Sequence, residues 1–240
     1  MPKALRKYQL LFNQSAPTQP TCLWCLKGLQ DDQDILHLFY QNDVLCMDCR
    51  RRYKAKRVRF HLGALGVEGL YPYEGMAREV ILRYKEMYDE ALYPLFFHGW
   101  VKHIHKHYRG YTLVVMPSSI LKIEMRGFHH MQRMVEILKM PVLDLFEKTT
   151  DVEQKYLTRS ERLQNRQMIR YKTDVVIPKT KYLLMDDICT TGNTLLAAYH
   201  LLQPYAGKVK AVVFAYNPIL VKIRRTKKIE FQKGESYTQK

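Results

Sequence analysis

The sequence predicts an α/β fold: a mostly parallel sheet with helices on both faces, joined to a small N-terminal module of the zinc-ribbon kind. Three observations predict it. Beyond residue 63, short apolar runs alternate with segments of helical spacing, the pattern of a sheet covered by helices. Ahead of them stand two Cys-x-x-Cys pairs. Near the end, an apolar strand runs into two aspartates and a Thr-Thr-Gly turn that opens a helix. The reading divides the chain into a four-cysteine module with a basic run (1–62), an α/β domain (63–220) and a basic tail (221–240).

The front module rests on Cys22-Leu-Trp-Cys25 and Cys46-Met-Asp-Cys49, separated by twenty residues. Each turn aims two thiolates at one point, and two such turns close a tetrahedral Zn²⁺ site. Cys22, Cys25, Cys46 and Cys49 are therefore the expected ligands of a structural zinc. With four thiolates the coordination shell is full, which argues against catalysis at the metal. A pair of disulfides is the bland alternative, and a reducing compartment disfavours it. Ile35 to Tyr40 reads as a strand over the site, with His37 as a strand residue. A module this small takes much of its folding free energy from the metal.

Charge comes next. The 240 residues carry a net +16, with 47% hydrophobic and 26% charged residues, a globular balance. No apolar run is long enough to cross a bilayer, and the first residues lack a secretory apolar core. These features point to a cytoplasmic protein that meets an acidic partner. Arg50 to Arg59 holds seven basic residues and no acid, and Lys222 to Lys240 holds seven basic and two acidic ones. Such runs suit a polyanion, because fixed Lys and Arg release phosphate counterions; a solvated basic face is the bland alternative. The candidate DNA contacts are Arg50, Arg51, Arg52, Lys54, Lys56 and Arg57, with Arg224, Arg225, Lys227 and Lys228 of the tail.

In the α/β domain, Met76, Val80, Ile81 and Tyr84 recur at helical spacing from Gly75 to Lys85. A second helix is expected to open at Asp89 as N-cap, with Leu92, Phe96 and Trp100 on one face. Strands are expected at Tyr111 to Met116, Pro141 to Phe146, Tyr182 to Met185 and Val209 to Ala215. The helices between them are Ile120 to Lys139 and Thr194 to Tyr205. Ligands of such sheets bind beyond the carboxyl ends of the strands, so the loops after Met116 and Met185 matter most. His98, His103, His105 and His107 are the densest histidine cluster; His103 and His107 share a helix face that suits a metal, but the reading is a solvated helix end, because neither carboxylate nor cysteine is expected nearby to complete a site.

The stretch from Tyr182 to Thr194 carries the chemistry. It delivers Asp186 and Asp187 to the sheet edge and then places Thr190, Thr191, Gly192, Asn193 and Thr194 at a helix N-terminus. Backbone amides there can ring a phosphate, threonine hydroxyls add donors, and a glycine admits close approach. An anion loop beside paired carboxylates suits a ligand with both phosphate and hydroxyls, such as a ribose 5-phosphate. Cys189 reads as a small packing residue. Arg159, Arg162, Arg166 and Arg170 recur at helical spacing, as a phosphate clamp or as a solvated face.

These residues resemble the type I phosphoribosyltransferase family, whose signature joins an apolar strand, two acids and a TTGxT-type loop. More narrowly they resemble the ComF family of late-competence proteins. The paired Cys motifs precede the domain, and Met116-Pro117-Ser118-Ser119 stands where the family has its pyrophosphate loop. Arg126-Gly127-Phe128-His129-His130 resembles RGFNQ, with two histidines in place of the amides. Gln154, Leu157, Arg162 and Asn165 keep a Q-x2-L-x4-R-x2-N spacing, and Tyr84-Lys85 resembles LKY. The resemblance implies a site for phosphoribosyl pyrophosphate (PRPP), with Asp186 and Asp187 as the catalytic pair and Mg²⁺ entering with the PRPP. Ser118, Ser119, Arg126 and Arg162 then serve the pyrophosphate.

Two functional classes follow from it. One is a cytoplasmic DNA-uptake factor at the inner membrane face. It would bind single-stranded DNA and a PRPP-like ligand beside a ComFA-like competence helicase. The other is a working phosphoribosyltransferase with an unidentified acceptor. A zinc-dependent scaffold for the helicase is a third reading, in which the phosphate loop only supports the fold.

Overall fold

The computed structural model describes residues 21–29, 44–149 and 169–223. The chain divides into two compact units, Met1–Arg52 and Tyr53–Lys240. The strand expected at Ile35 to Tyr40, residues 154–166 with Arg162, and the tail residues Arg224, Arg225, Lys227 and Lys228 lie outside the described residues.

In the first unit, Cys22 to Gly28 forms a tight turn. The Cys22 amide donates to the Lys27 carbonyl at 2.8 Å, and the Leu26 amide donates to the Cys22 carbonyl at 2.9 Å. Leu26 stands at φ +63. Cys46 precedes a short helix, α1 (Met47–Arg52), whose first turns bring Cys49 round to the same side. Cys22, Cys46 and Cys49 are buried.

The second unit is built on a six-stranded sheet. Its strands are β1 (Val58–Leu62), β2 (Leu65–Pro72), β3 (Tyr111–Val115), β4 (Val142–Leu143), β7 (Thr180–Cys189) and β8 (Ala206–Tyr216). Their order is β1-β2-β8-β7-β3-β4, with β1 antiparallel to β2 and every other pairing parallel. A separate antiparallel pair joins β5 (Phe146–Lys148) to β6 (Ile169–Tyr171). Residues 53–62, grouped with the front module on sequence, stand with the sheet: β1 pairs along its whole length with β2.

Strand alternation sorts the two faces of the sheet. Val114, Tyr182, Leu184, Ala211 and Val213 pack on one side with Leu195, Ala198 and Leu202 of α7 (Asn193–Leu202). On the other side Phe214 meets Phe96 at 4.7 Å and Phe97 at 6.2 Å between ring centroids. That side carries α2 (Gly75–Glu86), α3 (Pro94–Phe97), α4 (Val101–His107), α5 (Ile120–Arg126) and α6 (His130–Val135). Helices thus cover both faces, as expected. Among the described residues, no helix is long and apolar enough to cross a membrane.

Three segments differ from the sequence reading. The helix expected from Ile120 to Lys139 breaks at Gly127, which takes φ +79 and caps α5, before α6 and a 3-10 turn at Glu136–Leu138. A left-handed glycine is a common helix stop, and here it lay inside an apolar periodicity that reads straight through it. The expected strand at Pro141 to Phe146 splits between β4 and β5, which belong to different sheets. Asp89 does not cap a long helix; its carboxylate binds Arg83 at 2.6 Å, and Pro94 restarts the helix at α3.

The chain runs from β3 outward to β4, and from β7 in the opposite direction to β8. The sheet therefore has its topological switch between β3 and β7, the place where open α/β sheets form a ligand crevice.

Candidate functional site

Beyond the carboxyl ends of β3 and β7 lies a narrow cleft of about 90 Å³. It is lined by Lys85, Ser118, Ser119, Lys122, Arg126, His130, Lys148, Asp186 and Asp187, with Met116, Pro117 and Met131. β7 carries both aspartates. Strand alternation turns Asp187 toward the face of α2 and α6, and Asp186 the other way. The Asp187 amide donates to the Asp186 carboxylate at 2.9 Å.

Asp187 is buried and accepts two hydrogen bonds on Oδ2. Lys85 Nζ of α2 donates at 2.6 Å and His130 Nε2 of α6 lies at 2.9 Å. On the far side of the imidazole, Nδ1 faces Ser118 Oγ at 2.9 Å and Arg126 Nη1 at 3.1 Å. A guanidinium only donates, so Nδ1 is the acceptor and Nε2 carries the proton toward Asp187. Burial holds His130 below its ordinary pKa, which agrees with a neutral ring. Arg126, itself buried, also donates through Nε to the Lys85 carbonyl at 3.1 Å, and the Tyr84 hydroxyl donates to the His130 carbonyl at 3.0 Å. One network thus runs from the β3 loop through α5 and α6 to β7.

The electrostatics separate the two acids. Burial pushes Asp187 up, but the Lys85 charge and the His130 contact overcome it and hold the carboxyl well below the usual range. Asp186 is pushed up to about 8 by burial and by the negative charge of Asp187. Burial opposes the charge on Lys85, yet Asp187 keeps its ammonium above the ordinary value. At neutral pH the cleft therefore presents one carboxylate to Lys85, Lys122, Arg126 and Lys148. That balance attracts an anion and repels a bare metal cation, so a divalent ion fits this cleft only together with a phosphate group.

The structure brings Asp186, Asp187, Ser118, Ser119 and Arg126 together, and it leaves the threonine loop off the cleft wall. Thr190, Thr191 and Asn193 are exposed, and the Asn193 amide donates to the Thr191 hydroxyl at 3.4 Å. Gly192 is buried at φ +82. A Cβ there would lie 2.3 Å from Leu62 Cδ1, so packing against β1 also requires this glycine.

Sequence reasoning missed Lys85 and His130 as partners of Asp187, although both fell within motifs it singled out. It also missed Glu68. This carboxylate is 2% exposed and binds Tyr108 Oη at 2.6 Å, His103 Nε2 at 3.0 Å and Arg57 Nη1 at 3.1 Å. His103 therefore has an acid beside it, contrary to the sequence reading. His105 faces the Leu138 carbonyl at 2.6 Å, and His107 the His103 carbonyl at 2.9 Å.

In the first unit the sulfurs of Cys22, Cys25, Cys46 and Cys49 all lie within 4.8 Å of one another, with Cys25 and Cys46 at 3.6 Å. A tetrahedral Zn²⁺ with bonds of about 2.3 Å sets its sulfurs about 3.8 Å apart, so the four fit zinc. A hydrogen bond from the Lys27 backbone lowers the Cys25 thiol to about 7, whereas burial raises Cys46 and Cys49. No cysteine is in a disulfide. Arg51 and Arg52 of this unit are exposed, as are Lys54, Lys56 and Arg57 of the second; Arg50 is half-buried.

Comparison with known proteins adds a relative. The chain is 32% identical over 165 residues to competence protein ComFC of Streptococcus pneumoniae strain R6, covering 68% of this chain and 70% of that protein. No protein-family profile matches the chain. Among solved structures, a hypoxanthine phosphoribosyltransferase of Staphylococcus aureus aligns at 17% identity and TM-score 0.34, covering 52% of this chain and 62% of that one. An adenine phosphoribosyltransferase of Saccharomyces cerevisiae aligns at 14% identity and TM-score 0.38, covering 54% and 71%.

Proposed function

Since the chain belongs to the ComFC family of competence proteins, we propose that it handles single-stranded DNA during natural transformation and binds PRPP, with Mg²⁺, at the carboxyl end of its sheet. The observation that carries the ligand reading is the group of four cations, Lys85, Lys122, Arg126 and Lys148, around Asp186 and Asp187 at the topological switch. Those cations and the hydroxyls of Ser118 and Ser119 take the pyrophosphate. At about 90 Å³ the cleft is smaller than the roughly 300–1,000 Å³ of whole-ligand pockets, so only that end of PRPP enters it. The amides from Thr190 to Thr194 at the start of α7 take the 5-phosphate; Arg162, which the resemblance assigns to the pyrophosphate, lies outside the described residues. Asp186, protonated at neutral pH, offers a hydrogen bond to a ribose hydroxyl. Mg²⁺ entering with the pyrophosphate supplies charge neutralisation.

In the same reading, Cys22, Cys25, Cys46 and Cys49 hold a structural zinc. The basic residues Arg50, Arg51, Arg52, Lys54, Lys56 and Arg57, with Arg224, Arg225, Lys227 and Lys228, contact DNA phosphates beside a ComFA-like helicase. Transfer of the phosphoribosyl group to an acceptor is the second reading, supported by Asp187. Against its burial, the Lys85 charge and the His130 contact keep it ionised in the cleft wall, where it would stabilise developing positive charge on a bound ribosyl group.

Calorimetry with PRPP and Mg²⁺ tests the ligand: saturable heat is expected, and Asp187→Ala abolishes it. Absence of heat with the wild-type protein removes both readings of the site. Steady pyrophosphate release with one acceptor moves the protein to the transferase class.

A further inference from the structure

A second cleft, of about 320 Å³, opens at the other end of the sheet, between β1, β2, β8 and the end of α4. Its rim carries Arg59, His61, His107 and Lys210, with Glu68 and Tyr108 in its wall. The alternation of β1 explains the rim: Val58, Phe60 and Leu62 are buried, so Arg59 and His61 stand out on the opposite side. Cross-strand register then aligns Arg59 with Glu68, and His61 with Gly66, which in turn pairs with Lys210.

We propose that this recess is a phosphate subsite for single-stranded nucleic acid, which it holds apart from the Asp186–Asp187 cleft. The proposal rests on the nucleic-acid reading above and assigns that reading a place. Glu68 is hydrogen-bonded by Tyr108, His103 and Arg57, and against its burial that Tyr108 bond and the charges of His103, Arg57 and Arg59 hold its carboxyl below the ordinary value. Among the described residues, Arg59 and Lys210 form no ion pair with a carboxylate; Lys210 lies 5.8 Å from the Tyr108 ring. Against the single Glu68 carboxylate stand Arg57, Arg59 and Lys210, so the recess carries a net positive charge on fixed strands, the footprint of a phosphate contact.

The concave shape favours a single strand. A flexible strand can lower one phosphate into a recess, whereas a duplex presents its phosphates on a stiff convex cylinder. The recess also continues the basic run, whose Lys54, Lys56 and Arg57 lead along the chain directly to Arg59. That approach is tied down: the Lys56 amide donates to the Leu70 carbonyl at 3.1 Å, and the Tyr216 hydroxyl donates to the Lys56 carbonyl at 2.8 Å. Lys210 is level with Leu183, four residues before Asp187 on β7, so the clefts are offset by about 13 Å along the strands. The Phe96, Phe97 and Phe214 cluster fills the space beneath the helices on this face.

The test is fluorescence anisotropy of a labelled oligothymidylate titrated with the full chain across a salt series. The Arg59→Glu/Lys210→Glu variant is expected to bind about tenfold more weakly, and loss of two single-strand contacts lowers its log–log salt slope by about 1.4. Arg59→Gln/Lys210→Gln, which removes the charges without reversing them, is expected to give the same slope change with an unaltered thermal transition. Saturating PRPP and Mg²⁺ leave wild-type binding unchanged. Wild-type affinity and slope in both variants overturn the subsite, as does displacement of the oligonucleotide by PRPP. A wild-type chain that binds no oligonucleotide overturns the nucleic-acid reading itself, a different result from binding that ignores these two residues.

Discussion

Lys85 and Asp187 lie 102 residues apart in sequence and meet at 2.6 Å, joining α2 to the end of β7. The pair is largely buried, with side-chain exposures of 22% and 9%. Removing one partner of such a pair leaves an uncompensated charge, which costs more than the pair contributes. Lys85→Met is expected to destabilise the second unit by about 3 kcal/mol in urea unfolding at pH 7. Adding Asp187→Asn should recover part of that loss, and a double-mutant cycle measures the coupling.

The imidazole beside that pair permits a sharper substitution. His130 stands where the resembling family has glutamine, and it bridges Asp187 to Ser118 and Arg126. His130→Gln keeps a donor for Asp187 and is expected to stay within about 1 kcal/mol of wild type. His130→Leu removes it and is expected to cost about 2 kcal/mol. Equal losses in the two variants would show that packing, not the hydrogen bond, sets the requirement.

The two aspartates give stability opposite dependences on pH. Asp187 has a depressed folded pKa, so its contribution is present above the unfolded value and disappears as pH falls below it. Asp186 is raised to about 8, so its contribution is complete below the unfolded value near 4 and fades as pH climbs toward 8. Asp186→Asn should therefore match wild type near pH 4 and exceed its melting temperature above pH 8. The Asn carbonyl preserves the bond from the Asp187 amide. A variant that is less stable than wild type at pH 9 would contradict this ordering.

Gly192 takes a positive φ, and a Cβ added there would overlap a Leu62 methyl at 2.3 Å. Gly192→Ala is expected to cost about 2–4 kcal/mol, combining left-handed strain with overpacking against Leu62. In the background of Leu62→Ala the strain remains and the overlap goes, so the penalty should fall by about half. Thermal unfolding of the four proteins of the cycle reads this out.

Metal dependence is separable because each described unit contains one tryptophan, Trp24 in the first and Trp100 in the second. One zinc per chain is expected by elemental analysis, and Cys49→Ser should abolish it. Chelation should change the emission of a Trp100→Phe protein, which reports Trp24 beside the cysteines, and leave a Trp24→Phe protein unaltered.

The parts of the site that were legible in the sequence are those written locally. The Cys-x-x-Cys turns and the Asp186–Asp187 pair are each written within a few residues, whereas the threonine loop after them, read as part of the site, stands off the cleft wall. Lys85, His130 and Glu68 were not legible as partners, because their contacts bridge 102, 57 and 35 residues. No periodicity reports which strand end a helix will reach. The break at Gly127 was missed for a related reason: Met131, Met134 and Val135 keep helical spacing on the far side of it, so the apolar pattern hid the change of axis. Arg162 and the tail cations stay at the level of the sequence.

β8 is one unbroken strand of eleven residues, hydrogen-bonded to β2 on one side and β7 on the other. Lys210 projects into one cleft, and Val213, three residues on, pairs with Asp186 of the other. Sites that communicate need an element with two arrangements between them, and a strand clamped along both edges has one. In the proposed scheme the thermodynamic linkage between the two ends of the sheet is accordingly expected to be small. In that scheme a chain loaded at one end should pay the same free energy at the other as an empty chain, and the two proposed ligands would arrive and leave in any order.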